Sequence, residues 1–195
     1  MLEAQIAATL TSTAIVALAE IGDKTQLLAI VLAARFKRPL PIVLGILVAT
    51  LANHFLAALV GSLAAGWFDG PAFRYAVAIG FLAMAAWTLV PDKFDDDEAP
   101  AVSRGGAFLT TLIAFFLVEM GDKTQVATIA LGARFHDAVA VTMGTTLGMM
   151  LANVPAVLLG GEIVKRVPLG VVRLIAALFF ALLGIVLLLA TAGWL

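Results

Sequence analysis

Long apolar stretches alternate along this chain with short breaks of proline, glycine and charge. Six apolar blocks run roughly over 4–33, 40–66, 73–90, 106–132, 138–162 and 170–192. The breaks read "RFKRPLP", "WFDGPAF", "PDKFDDDEAPAVSRGG", "RFHD" and "KRVPLG", made of the residue types that end helices. Each block is close to, or above, the ~20 apolar residues that cross a bilayer as a helix. The pattern predicts an all-α membrane protein of six transmembrane helices.

Composition strengthens that expectation. Of the 195 residues, 63% are hydrophobic and 13% charged, and the mean hydropathy is +1.09. That leaves too little polar surface for a soluble globule. A net charge of −1 gives no nucleic-acid footprint, and the absence of cysteine removes disulfides, thiolate metal sites and thiol catalysis. The start, "MLEAQIAATLTSTAIVALAE", carries no basic segment and reads as the first span rather than a cleaved signal. No Arg-rich transit segment is seen, which points to a bacterial inner membrane.

The pattern also repeats. "EIGDKTQLLAIVLAARF" at 20–36 aligns with "EMGDKTQVATIALGARF" at 119–135, an offset of 99, and "LAN" recurs at 51–53 and 151–153. The chain divides into a first three-helix repeat (1–90), an acidic loop (91–105) and a second three-helix repeat (106–195). A repeat with an odd number of spans inserts its copies in opposite orientations, the inverted topology common among secondary transporters. Loop charges set the direction. Arg35, Lys37, Arg38, Lys93, Arg104, Lys165, Arg166 and Arg173 fall on one side, and only Arg74 and Arg134 on the other. The bias makes the loop 91–105 cytoplasmic and both termini periplasmic.

The two remaining basic residues, Lys24 and Lys123, lie inside the apolar blocks with Glu20, Asp23, Glu119 and Asp122. A charge at the centre of a membrane helix costs about 2.5–3.5 kcal/mol even on the lenient scale. These six must therefore face each other or a wet cavity. On continuous helices, Glu20, Asp23 and Lys24 share one face, as do Glu119, Asp122 and Lys123. Gly22 and Gly121 allow close approach or local unwinding. Thr25, Gln26, Thr124, Gln125, Asn53 and Asn153 add neutral oxygens, and Pro155 is expected to loosen the backbone beside Asn153. The glycines at 61, 66, 80, 132, 144, 148, 160, 161 and 184 are expected to let helices approach closely.

This is a hard, oxygen-rich ligand set without sulfur, suited to Mn²⁺, Ca²⁺ or Mg²⁺. Four carboxylates and two ammonium groups sum to −2, which one divalent ion or two protons would balance. Ion and protons competing for Glu20, Asp23, Glu119 and Asp122 is the minimum chemistry of an antiporter. Lys24 and Lys123 are expected to pair with the Glu four residues before each, or else to displace the cation on the return step. His54 matches Val154 in the second copy and reads as a satisfied packing residue. The acidic run 95–98 reads as a solvated tether. Rival readings are an exporter of a cationic organic solute, a passive divalent channel, and an intramembrane aspartyl hydrolase using Asp23 and Asp122. The hydrolase reading suffers because "EIGD" lacks the G-x-G-D pattern of those enzymes.

Paired E-x-G-D-K-[TS] motifs in the first and fourth spans resemble those of the manganese/calcium–proton exchangers of the transmembrane protein 165 type, within the cation/calcium exchanger group. The resemblance covers essentially the whole chain. It implies that Glu20, Asp23, Glu119 and Asp122 carry the ion, with the adjacent Thr and Gln residues in support. It also implies export of Mn²⁺, and of Ca²⁺ in some members, from the cytoplasm against inward proton flow, with no resident cofactor. The expected partners are the divalent ion and membrane lipid. A monomer suffices to bury the charges, with a homo-oligomer left open.

Overall fold

The computed structural model describes residues 2–68, 70–91, 106–160 and 168–195. Among these the protein is all-helical, with eight helices: α1 (Leu2–Glu20), α2 (Lys24–Phe36), α3 (Pro39–Trp67), α4 (Pro71–Thr88), α5 (Gly106–Glu119), α6 (Lys123–Phe135), α7 (Ala138–Leu159) and α8 (Leu169–Thr191). By length and composition α1, α3, α7 and α8 can each cross a membrane, while α5 is apolar but shorter. The acidic run, together with Lys93, Arg104, Lys165, Arg166 and Gly161, lies outside the described residues.

The apolar blocks 4–33 and 106–132 are each two helices, not one. The break falls at residues 21–23 in the first and 120–122 in the second. Gly22 (φ +80) and Gly121 (φ +79) take the left-handed conformation that glycine adopts without a Cβ clash. Asp23 and Asp122 then turn extended (φ −81, ψ 166 and φ −78, ψ 167) as the N-caps of α2 and α6. Apolar composition runs straight through both breaks, which is why the hydrophobic pattern alone merges the helices. One shared helical face for Glu20, Asp23 and Lys24 is accordingly wrong. Glu20 ends one helix, and Asp23 and Lys24 begin the next.

Packing joins the first half of the chain to the second. Helix α1 lies on α7, α3 on α5, α6 and α7, and α4 on α8, whereas contacts inside either half are few. The contacts reciprocate across the repeat. A Cβ on Gly45 would meet the Phe108 carbonyl and Thr111, and one on Gly144 would meet the Thr9 carbonyl and Ser12, which are the same positions shifted by 99. Gly61, Gly132, Gly148 and Gly184 also lie against backbone carbonyls of neighbouring helices, but Gly66, Gly80 and Gly160 face open space. Phe81 and Phe180, again 99 apart in sequence, stack with centroids 6.4 Å apart between α4 and α8. Helix α7 runs on through Pro155 without a break. At its start, Asp137 accepts from the Ala140 N–H at 2.9 Å and from Gln5 Nε2 at 3.1 Å, tying α1 to α7.

Outward faces are apolar. Leu174, Leu178, Leu182 and Ile185 form an exposed stripe down α8, and Trp67 and Trp194 are exposed at helix ends.

Candidate functional site

Breaking a helix leaves carbonyls and N–H groups without partners, and the motif's own side chains take up several of them. The Gly22 N–H donates to Gln26 Oε1 (2.8 Å), and the Gly121 N–H donates to Gln125 Oε1 (2.6 Å). Each glutamine then reaches onward into the other half. Gln26 Nε2 donates to the Ala152 carbonyl (2.9 Å), whereas Gln125 Nε2 donates to Asn53 Oδ1 (2.6 Å). Asn53 in turn donates to the Phe116 carbonyl (3.2 Å), one released by the end of α5. Asn153 donates to the carbonyl of Met149 one turn earlier (3.1 Å).

The two glutamates end α1 and α5, and both are fully buried. Their environments differ. Glu20 accepts from Thr25 of its own half (2.6 Å) and from Thr124 of the other half. Glu119 receives neither threonine, and both of its carboxylate oxygens lack a hydrogen-bond partner among the described residues. The ion pair also crosses the halves. Lys24 Nζ lies 3.1 Å from Asp122 Oδ1, and not against Glu20 as the helical spacing suggests. Lys123 donates to the Val90 carbonyl (2.8 Å) with its ammonium 6.0 Å from the Trp87 ring.

Asp23 and Lys123 line a crevice of about 10 Å³, roughly one water in size, with Gly22, Thr88 and Arg173. A wider cavity of about 270 Å³ lies at the far ends of α3, α4, α6 and α8, lined by Arg74, Arg134 and His136, with no carboxylate among the described residues that line it. Among the described residues no three His, Asp or Glu side chains converge closely enough to hold a metal ion. In this conformation the four motif carboxylates are not gathered around one point: Asp122 lies on Lys24, Glu119 beside His54, and Asp23 lines the small crevice.

His54 departs most from expectation. It is fully buried, and neither ring nitrogen has a hydrogen-bond partner among the described residues. Its Nε2 stands 3.9 Å from Glu119 Oε2. It is not a satisfied packing residue. Symmetry of the repeat could not reveal it, because Val154 stands at the matching place. The one sequence signal was a histidine beside Asn53 in an apolar run. Arg173 was also missed as a neighbour of the site, because its position near a break suggested only a loop charge.

Apolar helices around buried carboxylates suit a membrane transporter, and comparison with known proteins makes the class specific. Residues 8–96 and 107–194 match the family described as "Divalent cation/proton antiporter GDT1". The chain belongs to that family, and with its apolar helices it is an integral membrane protein. A Vibrio cholerae protein named "Putative manganese exporter" is 49% identical over 171 residues, covering 87% of this chain and 84% of its own. A GDT1-like protein of Synechocystis is 30% identical over 192 residues, covering 88% of this chain and 92% of its own. GDT1-like protein 5 of Arabidopsis thaliana is 28% identical over 211 residues, covering 89% of this chain and 92% of its own. No solved structure matches. The aspartyl hydrolase reading falls with this assignment.

Proposed function

We propose that the chain crosses a bacterial inner membrane six times, as two inverted three-helix repeats, and exports a divalent cation in exchange for protons by alternating access. Mn²⁺ is the first candidate and Ca²⁺ the second. In this reading α1–α2 and α5–α6 are two spans broken at mid-membrane. Helices α2, α5 and α6, of 13, 14 and 13 residues, are each about 20 Å long, short of the ~30 Å hydrocarbon core, while α1, of 19 residues, nearly reaches it. Reciprocal contacts such as Gly45 on Phe108 and Gly144 on Thr9 support a twofold relation between the halves.

The observation that carries the transport reading is the unequal treatment of two equivalent glutamates. Thr25 and Thr124 come from opposite halves and both donate to Glu20, leaving Glu119 without them. A twofold-related pair in unlike environments is what one frozen state of an alternating cycle looks like. In the opposite state the hydroxyls pass to Glu119, and the breaks re-aim Asp23 and Asp122 toward the other side. The cation binds carboxylate and amide oxygens, Asn53 and Asn153 among them, when these converge. Protons take the same oxygens on the return step, which keeps the buried charge balanced. Lys24, held on Asp122, neutralises that carboxylate while the ion is absent.

Mn²⁺ and Ca²⁺ flux in proteoliposomes under an imposed pH gradient tests this, with Glu20→Gln and Glu119→Gln beside the wild type. Proton-driven flux lost in both variants is expected. Flux indifferent to the pH gradient, or retained in both variants, overturns the reading.

A further inference from the structure

Four polar atoms in one place lack any hydrogen-bond partner among the described residues: Nδ1 and Nε2 of His54, and Oε1 and Oε2 of Glu119. Both side chains are 0% exposed. Leaving a buried polar group unpaired costs about 1–3 kcal/mol, so the pair is expensive unless something absent from the resting protein completes it. Its geometry indicates what that is. The 3.9 Å between Nε2 and Oε2 is too long for a hydrogen bond. Two donors each about 2.1 Å from one ion stand about 3 Å apart when adjacent and about 4.2 Å when opposite. The observed separation falls inside that interval.

We propose that His54 Nε2 and a Glu119 oxygen together ligate the transported ion, and that His54 sets its preference for a first-row transition ion over Ca²⁺ and Mg²⁺. This rests on the exchanger reading above and deepens it. The motif's oxygens alone do not discriminate, since hard cations and Mn²⁺ all accept them. A neutral imidazole adds a modest bias, because affinity for a nitrogen donor rises along the first transition row from Mn²⁺, its weakest member, while Ca²⁺ and Mg²⁺ take oxygen ligands. Asn53, the preceding residue, is engaged with Gln125 and Phe116, so α3 brings a fixed amide and an unengaged imidazole to the same region. The ligand comes from one half only, since the second copy has Val154.

The test uses the full chain, purified and loaded with Mn²⁺, and pulsed electron paramagnetic resonance of the bound ion. Nitrogen modulation is expected in the wild type and lost in His54→Val and His54→Gln. Bound Mn²⁺ without nitrogen modulation in the wild type overturns the proposal, as it would if the pair is merely bridged by water. In proteoliposomes the Mn²⁺/Ca²⁺ flux ratio is expected to fall about tenfold in both variants. The glutamine supplies an oxygen in place of the nitrogen and guards against a packing defect in the valine variant. A ratio unchanged in His54→Gln, with wild-type flux still proton-driven and still lost in Glu119→Gln, sinks the selectivity role and leaves the exchanger standing. Flux without proton coupling in the wild type sinks the exchanger itself.

Discussion

Two threonine hydroxyls from opposite halves of the chain meet on one carboxylate, and that choice is open to test. Each bond to Glu20 is buried and worth about 0.5–1.5 kcal/mol. Thr124→Val should therefore raise the KM for Mn²⁺ about two- to tenfold, measured as initial flux against concentration. An unchanged KM would leave the cross-half bond without a role in binding. The Lys24–Asp122 pair makes a separate prediction. Lys24→Gln strands a buried aspartate and should destabilise the protein by about 2 kcal/mol, less than for a fully buried pair because the lysine is partly exposed. Adding Asp122→Asn should recover most of that loss in a thermal melt. The motif letters named these residues as a group, because six charges in an apolar chain have nowhere else to go. Which partner each one takes was not legible, since helical spacing offers only neighbours on the same helix and the true partners lie about a hundred residues away. Lys24 shows this most clearly: its spacing points to Glu20, and its ammonium lies on Asp122.

At the scale of helices, the broken spans and the glycine seams decide the architecture. A glycine followed by aspartate can unwind a helix, but an apolar run on both sides conceals that it does. Only the left-handed φ at Gly22 and Gly121 reveals it. The seams are more sharply testable. A side chain at Gly144 would collide with the Thr9 carbonyl, and one at Gly45 with the Phe108 carbonyl. Gly144→Val should cost about 1–3 kcal/mol, seen as a lower melting temperature in detergent. Gly80→Ala, with nothing within 4 Å of the added methyl, should be neutral or stabilising by up to about 1 kcal/mol. At the start of α7, the Asp137 carboxyl is held below the usual carboxylate range by the Ala140 N–H first and by Gln5 second. A depressed value means the stabilisation is present above about pH 4 and lost as pH falls through the folded value. Asp137→Ala should cost about 1 kcal/mol at neutral pH, with the gap to wild type closing in acid melts.

For the whole molecule, sidedness is the property to measure. The natural absence of cysteine leaves a clean background for labelling single cysteines in intact cells. Lys37→Cys should be shielded from an impermeant external reagent, and Trp194→Cys should react with it. The reverse result would overturn the proposed orientation. The division into two halves was legible because near-identical letters recur at a constant offset. Their mutual packing was not, because a repeat reveals kinship between segments and says nothing of what touches what. That packing has a historical consequence. Among the described residues almost every helix contact runs from one half to the other, and neither half shows a core of its own. A half-length ancestor could not have been stable alone. In the inverted-repeat reading proposed above, two identical half-length chains facing opposite ways would bury these faces, and a fusion would free the two copies to diverge. Separately encoded segments 1–91 and 106–195, produced in the same cell, should still find each other and restore transport. His54 opposite Val154 is then the trace of what that ancestral pair, bound to be identical, could never have evolved.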